Sequence, residues 1–146
     1  PGRLLVGNAG VLVARIVYVK QGSSRRFVIC DAGMNDLLRP AMSDAYHHIL
    51  PVTEPAPNAP QAPVDVVGPI CESSDVFAKA RTLPPLGEGD LIAFATAGAY
   101  GSAMSSTYNG RPLVPEVLVK DAQFSIVRER PSYEAMMDAE RIPDWS

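Results

Sequence analysis

The feature that most narrows the possible fold is a succession of short Val- and Ile-rich runs, each closed by glycine, proline, asparagine or aspartate. Residues 10–20 carry Val11, Val13, Val17 and Val19 at largely alternating positions, the period of a strand with two distinct faces. Gln21-Gly22-Ser23-Ser24 has turn composition, and residues 25–30 return as an antiparallel hairpin partner. Further strands are predicted at residues 46–52, 64–70 and 91–97, and a last hairpin pairs 116–120 with 124–129 around Asp121-Ala122. Helix is confined to a turn near residues 38–42 and a short C-terminal segment at 133–139. Pro55, Pro57, Pro60 and Pro63 exclude helix and central strand from residues 54–63 and favour an extended surface loop. The sum is about seven or eight strands with little helix, which predicts a mainly β fold, an antiparallel β-sandwich or partly closed barrel.

A chain of 146 residues that is 47% apolar fits one domain with a real core, over residues 1–146. Thirteen basic residues stand against 16 acidic ones, net −3, with no long basic run, which argues against a nucleic-acid partner. No apolar stretch reaches the roughly 18 residues of a membrane span, Arg15 interrupting residues 11–19, and no signal peptide is visible, so a cytoplasmic protein is expected. Cys30 and Cys71 show no CxxC spacing, which predicts two free thiols rather than a disulfide framework or zinc site. His47 and His48 are adjacent, and neighbours on a strand face opposite sides, so no metal site is expected from them. The chain opens at Pro1 without a methionine and runs straight into apolar sequence, as a piece of a larger protein would.

Two strand ends carry chemistry. Gly68-Pro69-Ile70-Cys71-Glu72-Ser73-Ser74-Asp75 bends out of an apolar run and sets down a thiol, carboxylates and hydroxyls where a scaffold presents functional groups. The residues alone favour a plainer reading, a structural turn with Cys71 as a small buried hydrophobe. Residues 98–112, small, polar and punctuated by Tyr100 and Tyr108, follow the strand predicted at 91–97.

Four stretches together resemble, in order, motifs of bacterial diaminopimelate decarboxylase. They are Pro1-Gly2-Arg3, similar to the end of that family's Glu-Pro-Gly-Arg signature; Asp31-Ala32-Gly33-Met34-Asn35-Asp36-Leu37-Leu38-Arg39-Pro40; the Cys71 stretch; and Gly98-Ala99-Tyr100-Gly101 through Tyr108-Asn109-Gly110-Arg111-Pro112. The resemblance implies a pyridoxal-phosphate enzyme of the alanine racemase and ornithine decarboxylase fold. Such an enzyme has an N-terminal (β/α)8 barrel with the Schiff-base lysine and a C-terminal β domain. This chain would be the β domain alone, residues 1–9 being the junction, inactive by itself and completing the neighbour's active site in a homodimer. By the same resemblance Cys71 donates the proton to the carbanion, a thiol's pKa lying within reach of neutrality, and Glu72 accepts the distal ammonium of the small-molecule substrate. Arg3 and Arg39 bind the distal carboxylate of meso-diaminopimelate, which a guanidinium fork matches bidentately, and Tyr100 reaches the cofactor phosphate or the substrate.

Two positions depart from the family pattern. Ser43 stands where the family commonly has a substrate-contacting tyrosine, a loss that Tyr46 could replace, and Ser74 stands for a glycine, which implies strain if that position has positive φ. Competing expectations are a related decarboxylase of ornithine, arginine or polyamine precursors, and a non-catalytic β-sandwich binding module.

Overall fold

The computed structural model describes residues 1–145. They form two compact units, Pro1–Ser105 and the described residues from Ser106 onward. The first contains, in order, α1 (Gly2–Val6), β1 (Leu12–Gln21), β2 (Arg26–Cys30), α2 (Arg39–Ser43), β3 (Ile49–Pro51), β4 (Ala62–Val67), β5 (Val76–Leu83), β6 (Leu91–Phe94) and α3 (Gly101–Met104). Its six strands make one sheet in the order β3-β6-β1-β2-β4-β5.

Every neighbouring pair is antiparallel except β2 and β4, which run parallel, Phe27 opposite Asp65 and Ile29 opposite Val67. Parallel neighbours need a long crossover, and residues 31–61 supply it. The sheet curls on itself. Phe94 of β6 and Phe77 of β5 belong to strands near opposite ends of the order, yet their ring centroids are 4.5 Å apart. Across the same seam Arg81 of β5 donates to the carbonyl of His47 at 2.9 Å. The expected mainly β, partly closed architecture is therefore present, with one parallel pair in it.

The core lies inside the curl: Ile16, Val28, Cys30, Leu37, Val66, Ile92 and Phe94 are all nearly or wholly sealed from water. In β1 the inward side chains are Ala14 and Ile16, and a register shift between Ile16 and Tyr18 then turns Val19 inward. The alternating valines 11, 13 and 17 thus lie on the exposed face, opposite the core. The apolar period marked the strand correctly, but both faces are apolar and the period alone does not say which is inside.

Several boundaries differ from the sequence-based ones. The strand expected at 46–52 is only Ile49–Pro51, and just before it the His47 ring lies against Ala95 O, with Nδ1 at 2.9 Å. The strand expected at 91–97 ends at Phe94, before Thr96 turns into the left-handed region. Pro63, expected in the solvated loop, instead belongs to β4, an interior strand. It is tolerated there because β4 pairs with β5 alone at that level, the pairing with β2 starting at Asp65.

The second unit contains β7 (Glu116–Lys120), β8 (Gln123–Arg128) and α4 (Tyr133–Met137). Asp121 takes the hairpin turn with φ 54°, and Arg128 pairs with Glu116 at 2.8 Å. Ser132 caps α4, its hydroxyl accepting from Ala135 N at 3.1 Å.

Candidate functional site

The first unit presents its reactive side chains on three neighbouring loops. The first follows β2. Asp36 is buried and closes that loop, accepting from Gly33 N at 2.9 Å and from Asn35 Nδ2 at 2.9 Å. The chain then enters α2, with Arg39 at its start and Pro40 preset for the first turn. Ser43 donates to the carbonyl of Arg39 at 3.1 Å. Tyr46 is occupied: the Arg81 guanidinium stacks on its ring at 4.1 Å and its hydroxyl lies 3.4 Å from His48 Nδ1.

The second loop joins β4 to β5 and carries Cys71 and Glu72, both exposed. Cys71 is a free thiol on the surface, whereas Cys30 is buried, and burial pushes its thiol up to about 12. Of the two thiols, only Cys71 is open to solvent and to a reacting partner. The Glu72 carboxyl is held below its ordinary value by the Ser74 backbone N–H, 3.4 Å from Oε1, and then by the Ser73 hydroxyl at 3.2 Å. Ser74 is not among the residues with positive φ, so the strain considered for it does not arise. Its hydroxyl instead approaches Met34 Sδ at 3.7 Å.

The third loop follows β6 and carries Tyr100, which adopts φ 65° as it caps α3. Its ring lies 5.2 Å from the Arg39 guanidinium carbon, within cation–π range. Arg3 lies on α1, exposed, and its guanidinium makes no hydrogen bond or ion pair among the described residues. Its segment is nevertheless fastened to the Tyr100 loop, with Gly98 N donating to Gly7 O at 3.1 Å, Ala97 N to Gly10 O at 2.9 Å, and Thr96 Oγ1 to Asn8 Oδ1 at 3.0 Å.

The structure thus joins Arg39 with Tyr100 by direct contact, and Arg3 with Tyr100 only through bonds between neighbouring residues of their two segments. Cys71–Glu72 and the Arg39 loop are linked by a residue to which the sequence reading assigned no role. Asp75, buried, accepts from Met34 N and from Ile70 N, each at 2.7 Å. The signal for it was the glycine at 68, whose missing Cβ leaves the space that the Asp75 carboxylate fills. Beside these loops, a cleft of about 310 Å³ is lined by Ala41, Tyr46, Ser73, Ser74, Lys79 and Arg81, among others. Among the described residues no group of three or more His, Cys, Asp or Glu could hold a metal ion, and no helix is long and apolar enough to cross a membrane.

A thiol, a carboxylate, a guanidinium and a phenol thus reach the surface on loops of one curled sheet. Residues 5–98 match the family model described as pyridoxal-dependent decarboxylase, C-terminal sheet domain, and the chain belongs to that family. It is 46% identical over 145 residues to diaminopimelate decarboxylase of Zymomonas mobilis, covering 99% of this chain and 34% of that protein. It also resembles the crystal structure of diaminopimelate decarboxylase from Helicobacter pylori complexed with L-lysine, with TM-score 0.85 and 44% identity, over 94% of this chain and 33% of the other. A weaker likeness, TM-score 0.64 and 28% identity over 73% of this chain and 29% of the other, is to lysine/ornithine decarboxylase of Vibrio vulnificus complexed with cadaverine. The chain spans about a third of the length of the curated relatives it matches.

Proposed function

We propose that this chain is the C-terminal sheet domain of a diaminopimelate decarboxylase, which converts meso-2,6-diaminopimelate to L-lysine with pyridoxal phosphate. The observation that carries the reading is the joining of an exposed thiol–carboxylate loop to the loop bearing Arg39, itself stacked on Tyr100, on a chain 46% identical to a protein of that name. All of residues 1–146 belong to that domain in this reading, with residues 1–9 as its junction to a barrel that carries the Schiff-base lysine. The protein works as a homodimer in the cytoplasm, where free thiols stay reduced. The domain alone is inactive.

The donor set fits the chemistry. An exposed phenol beside a guanidinium suits an anionic group, so Tyr100 reaches the cofactor phosphate or the substrate. Pyridoxal phosphate, when bound, supplies the electron sink for the carbanion left by loss of CO2. Arg39 and Arg3 hold the distal carboxylate of the substrate, where a guanidinium fork gives orientation as well as charge. Glu72, kept ionised by the Ser74 amide and the Ser73 hydroxyl, accepts the distal ammonium. Cys71, exposed at the tip of its loop, delivers one proton from Sγ to the α-carbon on one face.

The test is a substrate panel on the full-length protein, read as CO2 release. Turnover of meso-diaminopimelate with little of ornithine, arginine or a carboxylated polyamine is expected. The reverse preference would assign the protein to the other basic-amino-acid decarboxylases, and no turnover of any with cofactor bound would leave a non-catalytic module.

A further inference from the structure

Asp75 stands at the junction of the two loops that carry the thiol, the carboxylate and the first arginine, and both of its carboxylate oxygens are committed. Oδ1 accepts the Met34 amide at 2.7 Å, and Oδ2 accepts the Ile70 amide, one residue before Cys71, also at 2.7 Å. Its own backbone closes the second loop at both ends: Asp75 N donates to Glu72 O at 3.0 Å and Gly68 N to Asp75 O at 3.0 Å. Asp75 as a residue is 3% exposed, and its carboxylate lies in the space that a Cβ on Gly68 would take, its Cγ only 2.6 Å from that position. Bonds from amides to a buried carboxylate are short and strong, and neither oxygen can be replaced by a donor without opposing an N–H.

We propose that Asp75 is the positioning residue of this site: its carboxylate sets the Cys71–Glu72 loop at a fixed distance from the Met34–Arg39 loop. Asp75 does not touch substrate. By fastening the Cys71–Glu72 loop to the rest of the domain it decides where the thiol and the carboxylate stand when the domain completes a neighbour's site. The inference rests on the function proposed above for the activity arm of its test, but not for the other arm.

The experiment uses the full-length enzyme with Asp75→Asn, which keeps the shape and puts an N–H₂ against one of the two amides. Gly68→Ala is the second variant: it displaces the carboxylate while keeping its charge, and the atoms that must yield belong to a side chain. In the first arm, hydrogen exchange followed by mass spectrometry reads peptides spanning 31–37 and 69–74. Each variant is expected to speed exchange in both peptides together, on the order of 10-fold for loss of a bond to a charged group. In the second arm, kcat/KM for meso-diaminopimelate is expected to fall on the order of 100-fold, the scale of an ångström of misplacement, with KM raised as well as kcat lowered and cofactor absorbance retained. Exchange that rises around 69–74 only, or a kcat that falls in proportion to the folded fraction with KM unchanged, would overturn the proposal. If Asp75→Asn does not fold, Gly68→Ala decides by the same readings. A wild-type enzyme that ignores meso-diaminopimelate would sink the functional reading alone, since the exchange arm still judges the loop coupling.

Discussion

Cys71 and Glu72 are neighbours with different physical situations, and each can be tested by itself. Cys71 is exposed and Cys30 is sealed, so iodoacetamide at neutral pH should modify Cys71 and spare Cys30, as counted by peptide mass spectrometry. Cys71→Ala in the full-length enzyme should lower kcat by on the order of 100- to 10,000-fold, the usual worth of a positioned proton donor, while cofactor absorbance is retained. Glu72 has a folded pKa depressed below its ordinary 4.5. A depressed carboxylate adds stability above its unfolded pKa and loses it as pH falls through the lower folded value, so the Ser73 and Ser74 bonds should persist at pH 4.5. A carboxyl-carbon NMR titration should find the Glu72 midpoint below 4.5, and Ser73→Ala should raise it. The identities of Cys71, Glu72, Arg39 and Tyr100 were legible in the sequence through their motifs. That Tyr46 is engaged by Arg81 was not, because the stacking partner lies on β5, far along the chain.

Among the elements, α1 and the Tyr100 loop meet backbone to backbone. A Cβ on Gly98 would strike the carbonyl of Val6 and come within 2.8 Å of Gly10 N, and neither can move without breaking the bonds that hold Arg3's segment to that loop. Gly98→Ala should cost about 1–3 kcal/mol, as overpacking does, read as a lowered midpoint in urea. Residues 68–75 show why such detail escapes a linear reading. The turn was evident from Gly68-Pro69, but Asp75 acts on Met34, 41 residues away in sequence. Similarly, Asp65 reads as an anomaly in an apolar strand. In the structure it accepts from Arg25 at 3.2 Å and from Ala80 N at 2.7 Å, where β5 bulges with Ala80 at φ 48°.

For the first unit as a whole, the curl rests on aromatic contact at its centre. Phe94 is wholly buried, lies opposite Leu12 on one side and Ile49 on the other, and meets Phe77 across the seam. Phe94→Ala should cost about 3–5 kcal/mol. Natural domains hold only about 5–15 kcal/mol in all, so thermal unfolding should shift to near ambient temperature, and circular dichroism would show it. The second unit exposes Val117, Leu118, Val119, Phe124, Ile126 and Val127 on its hairpin. Short apolar runs between turn residues determined the strand inventory, because period and punctuation are local, and ordered motifs singled out the candidate site residues. Tertiary structure alone decided that β2 and β4 run parallel, that β1 turns Val13 and Val17 outward, and that a buried Asp75 ties the thiol loop to the arginine loop. Each of these depends on contacts between residues distant in sequence, where burial and hydrogen-bond satisfaction outweigh local preference.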